Sequence, residues 1–234
     1  MLAVDLYNRP GDERRLEAFV VHMHLAWLYL LQARFLRDRI DFSYRDDHAR
    51  RVHGKDGEFR TWELARCLKQ QFPNPNDPIR RNVEFFIGFR NKIEHRFERL
   101  LGTVVDGKCQ ALIMNYEETL TKLFGQAEGL ADDLRFPVFL TSLTDAAVDA
   151  LKRTYKRLPR HLIRYIEEHD AALPVEVAND YRYDFRVLLI PQTGPKSESD
   201  VAMRFVRLDE LPETQRPDLE VEQTIVREKQ ILVQ

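Results

Sequence analysis

Apolar positions recur at helical spacing through most of the first 130 residues and alternate, strand-like, only near the C-terminus. From Glu13 to about Arg39 there is neither Pro nor Gly, and Phe19, Met23, Trp27, Leu30 and Leu31 mark one helical stripe. Val20, Leu25, Leu28 and Phe35 fall on the other side, so this helix is expected to be buried on several faces, with dimer packing as one means. The polar stretch from Asp41 to Phe59, with Gly54 and Gly57, reads as a loop containing a Lys55-Asp56-Gly57 turn. Thr61 is placed to cap a helix over Trp62 to Gln71, which Phe72-Pro73-Asn74-Pro75-Asn76 ends.

The next start signal combines Asp77 as N-cap with Pro78 at the first helical position, where its missing N–H costs nothing. The pattern predicts a helix from Ile79 to about Leu101, broken by Gly102 and Asp106-Gly107, then another from Lys108 to about Phe124. Beyond Gly129, Leu134 to Leu143 fits either a short helix or an extended run. Helices are expected over Ala146–Leu158 and from Pro159 to about His169. Tyr181 to Ile190 and Val201 to Leu208 alternate as strands across a Gly/Pro/Ser turn, and the charged end carries Pro212 and Pro217. The expected fold is mainly α: an antiparallel helical bundle over residues 1–130, then a smaller α+β segment over 131–234 containing a β-hairpin.

Composition narrows the class. With 44% hydrophobic and 32% charged residues among 234, the chain is globular rather than disordered. A net charge of −2 supplies no global field toward nucleic acid, so any such contact must be local. Cys67 and Cys109 form no metal-type pair and read as reduced thiols. Ala18 to Leu31 is shorter than a bilayer span, contains His22 and His24, and follows charged residues, so a core helix, no membrane partner and a cytoplasmic location are expected.

The candidate chemistry lies in Phe89-Arg90-Asn91-Lys92-Ile93-Glu94-His95-Arg96-Phe97. Arg-Asn, three residues and His resembles the signature of the HEPN superfamily, and the order of helices around it resembles that superfamily's small bundle. The opening Leu2-Ala3-Val4-Asp5-Leu6-Tyr7-Asn8-Arg9-Pro10 before an apolar helix also resembles an uncharacterised prokaryotic family within it. The likeness covers residues 1–130. It implies a metal-independent endoribonuclease working as a homodimer, without cofactor, in prokaryotic defence or a toxin-antitoxin system. Tyr follows the His by two residues in members that are nucleotidylated by a paired nucleotidyltransferase; Phe97 stands there, which argues against that subtype although a regulator of that kind is a possible partner.

The residue types suit the reaction. A histidine near neutral pH can take a proton from a 2′-OH or give one to the leaving 5′-oxygen, producing a 2′,3′-cyclic phosphate. Arg90 would fork onto the phosphate oxygens and Asn91 would orient the phosphate or the imidazole. On one continuous helix Asn91 and His95 share a face, whereas Arg90 lies about 140° from His95. Two copies meeting on a two-fold axis would supply both histidines. Glu94, four residues after Arg90, is placed to hold the guanidinium. Without the resemblance, Arg90 and His95 read as polar residues on a solvated helix face.

Lys152, Arg153, Lys156, Arg157, Arg160 and Arg164 occur with no acid between Ala150 and Ile166 and form a candidate RNA-backbone patch, or a plain solvated face. His22 and His24 point apart, so a metal pair is not expected; a core or interface position suits them best, and facing the cleft is the lesser alternative. His48 and His53 near Asp46 and Asp47 lack a regular ligand spacing, so no metal site is expected. Two alternatives stand beside the nuclease: a non-catalytic HEPN-like module binding RNA, nucleotide or protein, and a DNA-binding regulator reading through Ala146–Leu208.

Overall fold

A computed structural model describes residues 2–9, 14–93, 98–130, 158–185, 187–192 and 202–207. It divides into two compact units, Met1–Asp184 and Phe185–Gln234. The first is mainly helical: α1 (Leu2–Tyr7), α2 (Arg15–Arg37), α3 (Leu64–Gln71), α4 (Pro78–Phe89), α5 (Glu98–Phe124), α6 (Arg160–Ala171) and α7 (Val175–Ala178). Residues 158–184 therefore belong to the bundle, and the division at 184/185 differs from the boundary expected near 130.

α2 is the central element and packs on α1, α3, α4 and α5. Its stripe Phe19, Met23, Trp27, Leu31 and Phe35 is fully enclosed. Each such side chain removed from water contributes about 1.5–3 kcal/mol. The opposite face is not covered: Leu25, Tyr29 and Leu36 are exposed, Leu36 at 68%. Of the second set of apolar positions, Val20 and Phe35 are buried and Leu28 half-buried, while Leu25 is exposed. α2 is the one helix among the described residues long and apolar enough to cross a membrane, but its packed stripe gives it the role of a core helix.

α2 ends in a Schellman motif. Arg39 N–H donates to Leu36 O at 3.2 Å and Ile40 N–H to Phe35 O at 2.8 Å, with Arg39 at φ 56° where glycine is usual.

The loop expected over Asp41 to Phe59 is more ordered than its composition suggests. Tyr44 N–H donates to Arg60 O, Val52 N–H to Tyr44 O, and Arg60 N–H to Val52 O, each at 2.8 Å. Three extended runs, spaced by eight residues, so close into a hydrogen-bonded triangle. Two tight turns connect them, with Ala49 (φ 60°) and Gly57 (φ 84°) at the left-handed positions that such short hairpin loops require. Thr61 bridges to Ser43 and does not cap α3, whose N-cap is Glu63.

α4 begins as the sequence predicts: the Asp77 carboxylate accepts from Arg80 N–H at 3.1 Å ahead of Pro78. It stops at Phe89 rather than Leu101, and α5 runs unbroken from Glu98 through Gly102 and Asp106-Gly107. Burial of Val105, Lys108, Cys109, Leu112, Asn115 and Thr119 at helical spacing outweighs the turn preference of those glycines. Tyr181–Tyr183 form turns rather than a strand. In the second unit β1 (Val187–Gln192) pairs antiparallel with β2 (Ala202–Arg207), in the register Val187 to Arg207.

Candidate functional site

Arg90 and Asn91 lie in the turn that ends α4. Arg90 is the helix C-cap, its N–H donating to Phe86 O at 3.0 Å, and Lys92 N–H closes the turn on Phe89 O at 2.8 Å. Asn91 is exposed and Arg90 half-buried. Among the described residues no carboxylate is paired with Arg90. Glu94 and His95 lie outside the described residues. Arg90 and Asn91 therefore lie past the end of α4 and not within the continuous helix expected from Ile79 to about Leu101.

Two features fix this turn. The Tyr165 hydroxyl of α6 donates to Phe85 O at 2.6 Å, against a surface left open by Gly88, where any β-carbon would overlap that hydroxyl. The Tyr165 ring then lies 5.1 Å beneath the Lys92 ammonium and stacks on Phe89. α6 thus packs against the last turn of α4.

On the other side stands His24 of α2. Its ring borders a void of about 10 Å³, space for about one water, together with Trp27, Leu64, Phe86, Ile87 and Leu112. Its Nδ1 is enclosed and finds no partner among the described residues. Burial first, and then the Arg90 cation, push its pKa down to about 4, so it is a neutral imidazole at pH 7. From the sequence His24 suits a core or interface position, with the cleft as the lesser alternative; the crossing of α2 and α4 brings it into the electrostatic range of Arg90.

The cationic set divides. Lys152, Arg153, Lys156 and Arg157 lie outside the described residues. Arg160 and Arg164 are exposed on α6, one turn apart, but Arg164 is held by Glu168 at 2.6 Å. His48 and His53 are exposed on separate runs of the β-triangle, and among the described residues no group of three His, Cys, Asp or Glu is arranged to hold a metal. Cys67 and Cys109 are free and buried, and burial pushes the Cys67 thiol up to about 11, which leaves it unreactive at neutral pH.

A second cluster was invisible in the sequence. Lys108, 4% exposed, reaches Asp170 at 3.4 Å and Asp184 at 3.2 Å, with its ammonium 4.7 Å from the Tyr183 ring centre. Tyr183 donates to Asp170 at 2.5 Å, and His169 Nδ1 lies 3.2 Å from the Tyr183 oxygen. The buried Asn82 amide donates to Lys108 O and Tyr183 O at 3.0 and 2.8 Å. Burial and the nearby Arg81 and Lys108 cations hold His169 below the ordinary histidine range, against the opposing pull of Asp170. Every polar group here has a partner, and the partners come from α4, α5, α6 and the 180–184 turn. This is a bolt that fastens the late segment to the bundle. Sequence separations of 62 and 76 residues from Lys108 to its carboxylates gave no local signal.

These observations define a helical domain with a half-buried Arg90 and an exposed Asn91 in one turn, within electrostatic range of a half-buried imidazole. The chain belongs to the DUF3644 family, described as a domain of unknown function, whose model matches residues 1–173. No curated protein and no solved structure matches it.

Proposed function

We propose that this protein is a metal-independent endoribonuclease of HEPN type, with Arg90 stabilising phosphate charge, Asn91 orienting, and His95 in acid–base catalysis within a composite dimer site. The reading includes RNA as substrate, 2′,3′-cyclic phosphate products, a cytoplasmic location, and a role in prokaryotic defence or a toxin-antitoxin system. It also takes the second unit as a hairpin appended to the bundle.

The observation that carries it is the Arg90-Asn91 turn: a guanidinium with no carboxylate partner among the described residues, at an accessible helix end, beside the neutral His24. An unpaired arginine is what a phosphodiester needs, because a guanidinium already forked onto a carboxylate cannot fork onto phosphate. The uncovered Leu25, Tyr29 and Leu36 face of α2 is compatible with the dimer the reading requires.

A second reading, the non-catalytic RNA-, nucleotide- or protein-binding module, is favoured by the end of α4 at Phe89, which leaves Arg90 and Asn91 in a turn and not on the continuous helix expected there. One assay separates the two: cleavage of mixed RNA in excess EDTA by the full chain, beside Arg90→Ala and His95→Ala. The nuclease reading expects cyclic-phosphate ends from the wild type and a loss of at least about 100-fold in either variant, the scale of one acid–base or oxyanion group. Cleavage unaffected by both substitutions, or no cleavage by the wild type, rejects it.

A further inference from the structure

We propose that Tyr44, Arg60, Trp62 and Arg66 form a binding surface for single-stranded RNA, outside the Arg90 turn and outside the cationic stretch on residues 152–164. The proposal takes its substrate class from the nuclease reading; its geometry is independent of it.

The arginines near the β-triangle are of two kinds. Arg45 and Arg51 are tied to Asp41 at 2.6 and 3.3 Å, Arg51 also lying 5.0 Å from the Phe59 ring centre, and Arg50 is tied to Asp46 at 3.6 Å. Arg60 and Arg66 have no carboxylate partner among the described residues. Their guanidinium carbons lie instead 5.0 and 5.3 Å from the centre of the Tyr44 ring, and Arg66 is also 4.8 Å from the Trp62 ring. Both side chains are exposed, while Tyr44 and Trp62 are half-buried. An aromatic face orients a guanidinium without using its hydrogen-bond donors. The N–H edges stay available for phosphate oxygens, and the outer guanidinium plane stays available for a base to stack on.

Placement adds a second argument. Tyr44 and Arg60 are two corners of the hydrogen-bonded triangle, and Arg66 sits in the first turn of α3. α3 is anchored by Leu64, Cys67 and Leu68 in the core. The cations therefore project from a fixed frame, so holding them in place costs little on binding. An acidic peptide would also meet two positive charges, but it has no planar group to use the guanidinium faces. Duplex nucleic acid offers no unstacked base. Single-stranded RNA uses both the edges and the faces.

The test is fluorescence anisotropy of labelled single-stranded RNA with the full chain in EDTA, on an Arg90→Ala background that prevents cleavage. Arg60→Gln with Arg66→Gln is expected to weaken binding about tenfold or more and to reduce the log–log salt slope by about 1.4, two phosphate contacts at about 0.7 each. Arg60→Lys with Arg66→Lys keeps the salt slope but loses several-fold in affinity, because the planar stack is gone. Arg45→Gln with Arg50→Gln, which removes carboxylate-held arginines, changes affinity by less than about twofold. Far-ultraviolet circular dichroism checks that each variant is folded, and the lysine pair serves if the glutamine pair is not. The proposal is overturned if the wild type does not bind RNA, if the Arg60/Arg66 variants bind as the parent does, or if the Arg45/Arg50 pair matters equally. RNA cleavage with unchanged binding in the Arg60/Arg66 variants would leave the nuclease reading standing and remove this one; patch-dependent binding without any cleavage by the wild type would do the reverse.

Discussion

The two ends of α4 are secured on opposite principles. At its start, Asp77 caps the first turn, Pro78 fills the position that needs no donor, and Arg80 joins Glu84 at 2.8 Å while reaching the Phe72 and Pro73 carbonyls. One turn further, Asn82 is locked into the Lys108 bolt. At its end, among the described residues, no side chain caps the helix and no glycine adopts a left-handed conformation; a tyrosine from α6 packs against the last turn with its hydroxyl on Phe85 O, and the residue that follows is an arginine with no carboxylate partner among the described residues. The first end is specified by its neighbours in sequence, whereas the second rests against a helix whose Tyr165 is 80 residues from Phe85. A candidate site located at the second end depends on the whole bundle being assembled.

This contrast can be broken by graded substitutions. The largest effect is expected at the bolt: Lys108→Ala leaves two largely buried carboxylates without their cation and should cost about 3 kcal/mol in urea unfolding. A loss under about 1 kcal/mol would mean that Asp170 and Asp184 are solvated and that the bolt is not one. Next, Gly88→Ala forces Tyr165 off Phe85 O and should cost about 1–3 kcal/mol. If it stabilises the protein instead, as an ordinary helical Gly→Ala change does, the Tyr165 contact contributes nothing to holding the last turn of α4. Asp77→Ala should cost about 1 kcal/mol, the usual value of an N-cap, and a double variant with Gly88→Ala tests whether the two ends are energetically independent.

The smallest stability effect belongs to the candidate site. Arg90→Ala should change stability at pH 7 by no more than about 0.5 kcal/mol. It should nevertheless be visible at His24, whose imidazole titrates near pH 4 and should move upward by NMR once the cation is gone. The sign follows from linkage: the unfolded chain takes up this proton near pH 6.5, earlier than the folded one, so folding loses stability as pH falls from about 6.5 to 4. Raising the folded-state value narrows that window and lessens the acid loss. An unchanged His24 titration would show that Arg90 and His24 do not share one environment.

How much of this was legible in the sequence follows the same division. The core stripe of α2 and the Asp77-Pro78 start of α4 were readable, because each is a rule acting within a few residues. The end of α4 was misread, since Phe86, Phe89, Arg90 and Ile93 continue a helical pattern with no breaker. The continuity of α5 was misread for the converse reason: Gly102 and Gly107 look like breakers but lie in a helix fixed by tertiary burial. The alternation at Tyr181 and Tyr183 suggested a strand, whereas Tyr183 is buried in a turn by its hydrogen bond to Asp170. The β-triangle gave only its Lys55-Asp56-Gly57 turn, because its closure depends on backbone bonds between residues eight and sixteen apart. Of the site, Arg90 and Asn91 were named from the motif, while His24 and the Tyr44–Arg66 surface required knowledge of which segments cross.

The triangle joining Tyr44, Val52 and Arg60 has a kinetic consequence. Each of these residues gives one amide proton and receives one, so none can be released to solvent while the other two keep their geometry. Deuterium uptake at the three amides should therefore proceed at a common rate as one opening event, distinct from the faster uptake expected at the turns around Ala49 and Gly57.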